Sequence, residues 1–320
     1  MINSLIIVRD IHLASSVMVA GIIFFDLLVA SPVLRSDPRF SDAGSSFREA
    51  AGRLLWASFT LSVVTALAWL CLLSERIAGK DMADVVADGT AWIVLTQTQF
   101  GFAWQIRLLL ACLLATCLLL RRKPYEGPAA AWLLVAASLL AGAYLGALAF
   151  AGHGAEGLGS ERNIHLAADI LHLNAAGLWL GALVPLALLL VHLRRSQAEN
   201  WAVAAAAAAG RFSTLGILAV GVLLVSGTIN AAFLLGGMHS LIDTAYGRLL
   251  LLKIALFGAM VFLAAINRER LLPRLSSDPR SVKKLVRSAL AEIALGIAIL
   301  FVVGLLGIMP PANEMTAHLH

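Results

Sequence analysis

The sequence predicts an all-α polytopic membrane protein of eight transmembrane helices, and three observations predict it. The 320-residue chain is 60% hydrophobic and 13% charged, with a mean hydropathy of +0.87, far from the usage of a domain that folds in water. Its apolar residues gather into eight stretches, each able to cross a hydrocarbon core that takes roughly 20 residues of helix. The basic residues are unevenly shared: 17 of the 24 Lys and Arg fall in the connections after the first, third, fifth and seventh stretches. Because Lys and Arg are enriched in cytoplasmic connections, these four face the cytoplasm and both termini face the periplasm. The high pI of about 9.4 then reflects topology, and nucleic acid is not expected as a partner.

The first span runs from about 6 to 30 and follows directly on Met1 to Val8, which lacks a basic leader, so it is expected to stay in the membrane rather than be cleaved. It carries His12 near its outer end and Asp26 near its inner end. Spans two, three and four run at about 54–75, 103–120 and 130–151. They contain Cys71, Cys112 and Cys117, which read as small core residues rather than a disulfide framework. Arg107, in span three, is expected to snorkel toward water, as long cations near span ends do. Residues 152–165 form a periplasmic connection with His153 between Gly152 and Gly154, where glycine permits a tight turn. Spans five to eight follow at about 166–192, 212–235, 248–266 and 289–309. A periplasmic tail, 310–320, brings Met315, His318 and His320.

The two halves repeat a pattern. Asp10-Ile11-His12-Leu13 with Gly21 matches Ile170-Leu171-His172-Leu173 with Gly181, the glycine falling nine residues after the histidine in both. Thr98-Gln99-Phe100-Gly101 with Arg107 likewise matches Thr244-Ala245-Tyr246-Gly247 with Lys253. Matched segments in the same order predict two four-helix repeats, 1–151 and 166–309. An even number of spans per unit makes the copies parallel, related by an axis along the membrane normal. His12 and His172 are expected to face each other across that axis.

The charge distribution places His12, His153, His165, His172, His239, His318 and His320 on the outer side, leaving only His192 at the inner end. His165, Asp169 and His172 share one face of span five at 3.6 residues per turn. A charged group at such depth costs about 2.5–3.5 kcal/mol on insertion scales, so ionisable residues inside spans call for an explanation. Neutral imidazole is the commonest side-chain metal ligand, and a carboxylate beside it can ligate or hold its tautomer. His12, His153, His165, Asp169 and His172 are therefore the candidate metal ligands. The open alternatives are interhelical hydrogen bonding, axial ligation of a b-type haem by His12 and His172, or a metal-sensing scaffold that conducts nothing. No nucleophile–base pair, phosphate-binding loop or H-E-x-x-H spacing is present, so an enzyme is not expected.

The run His172-Leu173-Asn174-Ala175-Ala176-Gly177-Leu178-Trp179-Leu180-Gly181, the run from Thr244 to Lys253, the pair Asn267-Arg268 and Gly152-His153 resemble the CopD/PcoD copper-resistance proteins of bacterial inner membranes. With eight spans, the resemblance covers nearly the whole chain. It implies copper, as Cu(I) or Cu(II), taken from the periplasm toward the cytoplasm, with a small periplasmic CopC-like copper-binding protein as donor. No fused CopC-like domain is visible, so that partner is expected to be separate. The ion is then expected to move past Met18 or the cysteines toward Asp26.

Overall fold

The computed structural model describes residues 4–121, 128–152 and 159–310. Among the described residues, eight helices are long and apolar enough to span a bilayer: α1 (Ser4–Leu34), α2 (Pro38–Ala78), α3 (Gln99–Leu120), α4 (Pro128–Ala151), α5 (Gly159–Ser196), α6 (Trp201–Leu235), α7 (Ala245–Arg274) and α8 (Arg280–Leu306). No strand occurs among the described residues. In hydrocarbon every backbone polar group must find its partner within the protein, and a helix does this within one segment.

The number and order of spans agree with the sequence reading, but several helices are longer than their apolar stretch. α2 begins at Pro38 rather than near 54 because the charged segment up to Arg53 continues the same helix into water. Two short helices, Met82–Ala87 and Thr90–Gln97, lie between α2 and α3 where hydropathy gives no signal. Lys80 pairs with Asp88 across this connection. That hydrogen bond, with those from Thr90, holds the exposed Asp88 carboxyl down to about 2.

α1 is the central helix, packed against α2, α4, α5 and α8. It crosses α5 where Gly21 meets Gly181, so closely that a Cβ on either would overlap the other helix's backbone. Small residues let membrane helices approach this closely, and these are the two glycines matched between the halves. Among the described residues three helices contain a π-helical turn: Asp26–Ala30 in α1, Gly177–Gly181 in α5 and Asn267–Leu271 in α7. Such turns shift the side-chain register and often accompany functional sites. The outward faces of α6 and α7 are apolar and exposed, with Ile217, Leu224, Ile254 and Phe262 among them, as a lipid-facing surface requires.

The N-terminal end of α1 and the C-terminal end of α8 lie together, tied by Arg9 donating to the Gly307 carbonyl at 2.6 Å. This is the histidine end of the bundle, carrying His12, His165 and His172. The opposite, basic end carries Asp26 with Arg121 and the Arg268–Arg287 region.

Candidate functional site

The same residue pattern meets two different surroundings. In the first half, His12 is fully buried. Its Nδ1 lies 2.9 Å from the Ser62 carbonyl oxygen and 3.1 Å from Thr65 Oγ1. A carbonyl can only accept, so Nδ1 carries the proton and Nε2 carries the lone pair. That lone pair accepts from Arg107 Nη2 at 2.8 Å. Arg107 also donates through Nη1 to the Tyr144 carbonyl, and its guanidinium lies 4.3 Å from the Tyr144 ring centroid. Trp69 and Trp104 enclose the imidazole at 5.7 and 5.6 Å between centroids. Ser16, Ser62 and the Tyr144 hydroxyl complete a chain of hydrogen bonds joining α1, α2 and α4. Arg107 therefore does not snorkel; its hydrogen bonds and the aromatic faces hold it inside, 2% exposed.

In the second half, His172 on α5 places Nδ1 3.0 Å from Ser226 Oγ on α6. The Ser226 hydroxyl donates to the Val222 carbonyl at 2.6 Å, so its oxygen accepts the His172 Nδ1 proton. Nε2 again carries the lone pair, but here no hydrogen-bond partner meets it among the described residues. His172 lines a cavity of about 250 Å³ at the histidine end. The cavity is walled by α1, the end of α4 and α5–α8, with Trp69 of α2, and is also lined by His165, Asp169, Lys253, Asp10 and Arg9. His165 is buried and stacks on Phe233 at 4.9 Å, while Asp169 Oδ1 accepts from Asn230 Nδ2 at 2.6 Å. Lys253 sits within electrostatic reach of both Asp169 and His172. It is a half-buried participant in the site.

The structure thus brings His165, Asp169 and His172 to one cavity and does not bring His12 there. His12 turns from α1 toward α2 and α3, while its neighbours Asp10 and Leu13 line the cavity. His12 and His172 do not face each other. His153 lies outside the described residues, as do Met315, His318 and His320. Among the described residues no three His, Cys, Asp or Glu side chains converge closely enough to hold a metal ion; the cavity offers donors without a closed coordination sphere. Asp26 pairs with Arg121 at 2.8 Å and accepts from Ser31. Cys71, Cys112 and Cys117 are free thiols away from the cavity.

Asp10 is the acidic lining residue that sequence reasoning passed over. It counted there only as part of a repeated motif, yet its Oδ1 is buried without a hydrogen-bond partner among the described residues. An intramembrane acid two residues from a candidate histidine was the available signal.

Comparison with known proteins decides the family. The model of the copper resistance protein D family matches residues 206–306, and the model of the copper resistance protein D-like N-terminal domain matches residues 1–164. Copper resistance protein D of Pseudomonas syringae pv. tomato is 33% identical over 289 residues, covering 88% of this chain and 89% of that protein. The chain belongs to the copper resistance protein D family. The inner membrane protein YebZ of Escherichia coli is 30% identical over 309 residues, 96% of this chain and 98% of that protein. The copper transport protein CutJ of Bacillus subtilis is 32% identical over 266 residues, 82% of this chain but 46% of that protein. No solved structure matches the chain. With eight apolar helices, this family member is a multi-pass inner-membrane protein.

Proposed function

We propose that this copper resistance protein D family member takes copper from the periplasm through the histidine-end cavity and passes it toward the cytoplasm. The carrying observation is the His172 Nε2 lone pair, which has no partner at the cavity among the described residues while Ser226 anchors the other ring nitrogen. A ligating histidine is commonly oriented in this way, its second nitrogen donating to a fixed acceptor. His165, Asp169 and Asp10 supply further nitrogen and oxygen donors, a set that suits Cu(II) better than Cu(I). Lys253 opposes cation binding at rest, so loading requires its ammonium to move aside. His12 is left out of the donor set because Arg107 occupies its lone pair.

The placement of basic residues supports a periplasmic histidine end with both termini outside. The donor we propose is the one that the family resemblance implies, a separate periplasmic, CopC-like copper-binding protein delivering at the mouth of the cavity. We read the chain as two parallel four-helix repeats, with the Gly21–Gly181 contact near their axis.

The test is copper content and absorption spectrum of detergent-purified protein, wild type beside His172→Ala and Asp169→Asn, followed by copper flux into liposomes. Wild type is expected to bind copper without a Soret band, His172→Ala to lose most of it, and Asp169→Asn to bind weakly. Equal copper in all three would remove the cavity from consideration, and a Soret band would turn the reading to a cytochrome.

A further inference from the structure

A second cavity lies at the basic end of the second half, about 220 Å³ in volume, with walls from α5, α6, α7 and α8. Its lining is mostly apolar, yet Glu292 of α8 reaches into it while only 3% exposed. One carboxyl oxygen, Oε1, accepts from Asn267 Nδ2 at 2.6 Å. Asn267 opens the π-helical turn of α7, and its own Oδ1 is buried with no partner among the described residues. Arg268 lines the same cavity but donates to Ser213 Oγ at 2.9 Å. No ion pair neutralises Glu292 among the described residues.

An ionised carboxylate in this position has one neutral donor and no counter-charge, an expensive arrangement inside a membrane protein. A protonated carboxyl changes the accounting of hydrogen bonds. Its hydroxyl can donate to the orphaned Asn267 Oδ1 while Oε1 continues to accept from Nδ2, giving a paired acid and amide in which that oxygen is no longer orphaned. The cavity wall supplies only two ionising residues, Glu292 and Arg268; α5 and α6 contribute none. α1, which also packs against α8, brings Arg9 and Asp10 at the opposite end and Asp26 already paired with Arg121. Trp179, in the π-helical turn of α5 two turns from His172, lines this cavity and stands on the side toward the histidine end.

We propose that Glu292, paired with Asn267, is a proton-exchange site open to the basic end, and that it makes copper passage depend on the proton gradient. The carboxylate takes a proton from water in the cavity, forming the O–H that satisfies Asn267, and returns it to water when that bond breaks. The coupling half of this inference rests on the copper pathway proposed above; proton exchange at Glu292 does not.

The experiment is infrared difference spectroscopy of reconstituted protein titrated through pH in H2O and D2O, on wild type, E292Q and E292D, with copper flux measured on the same vesicles. Wild type should show a carboxylic C=O signal that grows as pH falls and shifts in D2O; E292Q should lack it and E292D restore it. An imposed pH gradient should change wild-type copper flux several-fold and E292Q flux not at all, with copper binding at the histidine end retained. A wild-type spectrum without that signal, or one that fails to exchange because an acyl chain fills the cavity, overturns the site. Gradient-dependent flux in E292Q overturns the coupling. Absence of copper binding in wild type overturns the pathway and coupling, while the infrared signal still decides the proton site. Should E292Q not fold, N267A keeps the carboxyl and must displace its titration; an unmoved titration counts against the pair.

Discussion

His12 and His172 occupy matched places in the two halves, and each sends Nδ1 toward a serine of the following span. The partner of the other ring nitrogen separates them. In the first half Arg107 reaches His12 and the Tyr144 carbonyl at once, and its planar fork suits two fixed acceptors. In the second half the matched cation is Lys253, a single ammonium on a flexible stem, which makes no such clamp. The filling differs as well. Three residues before the cation, the first half has Trp104, packed on the His12 ring; the second has Leu250, which lines the cavity. One occurrence of the pattern is a closed structural joint, while the smaller, looser residues of the other leave space and a bare lone pair. A repeated motif therefore need not repeat a role.

The largest effect expected from this contrast separates the two cations. Arg107→Met strips donors from His12 and the Tyr144 carbonyl inside a closed core. It should cost about 2–3 kcal/mol, as losing a charged hydrogen-bond partner does. Lys253→Met should leave the melting temperature in detergent near wild type and raise copper affinity, because a competing positive charge leaves the cavity. Thermal unfolding and copper titration of both variants would decide it. A stable Arg107→Met protein, or a Lys253→Met protein with unchanged copper affinity, would mean the halves differ less than their geometry says.

A medium effect comes from rebuilding the closed half in the open one. Leu250→Trp should fill part of the cavity against His172, as Trp104 does against His12. Overpacking typically costs about 1–3 kcal/mol where no space exists; here about 250 Å³ is available, so the melting temperature should hold. Copper binding should fall at least tenfold. Wild-type copper binding in a folded Leu250→Trp protein would place the site elsewhere.

Much of this was legible in the sequence, for identifiable reasons. Eight spans follow from hydropathy because bilayer thickness fixes helix length. The His165, Asp169, His172 face follows from helical periodicity alone. The extension of α2 back to Pro38 did not, because a charged helix in water carries no hydropathy signal. The direction of His12 was also hidden: a residue on α1, which is surrounded on several sides, can turn toward any neighbour, and only the packed bundle chooses. Arg107 misled for a related reason, since snorkelling is the rule when no internal acceptors exist, and here the Tyr144 carbonyl and His12 Nε2 supply them. Glu292 could have been found. It is a lone acid in the apolar stretch of span eight, the kind of residue that intramembrane cost marks for attention.

The last contrast tests the anchor rather than the ligand. Ser226→Ala removes the acceptor for His172 Nδ1 but no proposed copper donor. The ring then loses its fixed tautomer and can rotate, and loss of such an outer partner usually costs about 10- to 100-fold in metal affinity. The matched change, Ser62→Ala, leaves the His12 bond to the residue-62 backbone carbonyl in place and removes only the hydroxyl links to Ser16 and Tyr144. It should therefore leave copper affinity unchanged and lower stability slightly, by about 1 kcal/mol for a hydrogen bond of ordinary strength. Copper titrations and melting curves of the two variants side by side read this directly. Equal copper affinity in Ser226→Ala and wild type would show that His172 is held by packing alone, and would take away the orienting role that distinguishes the open half from the closed one.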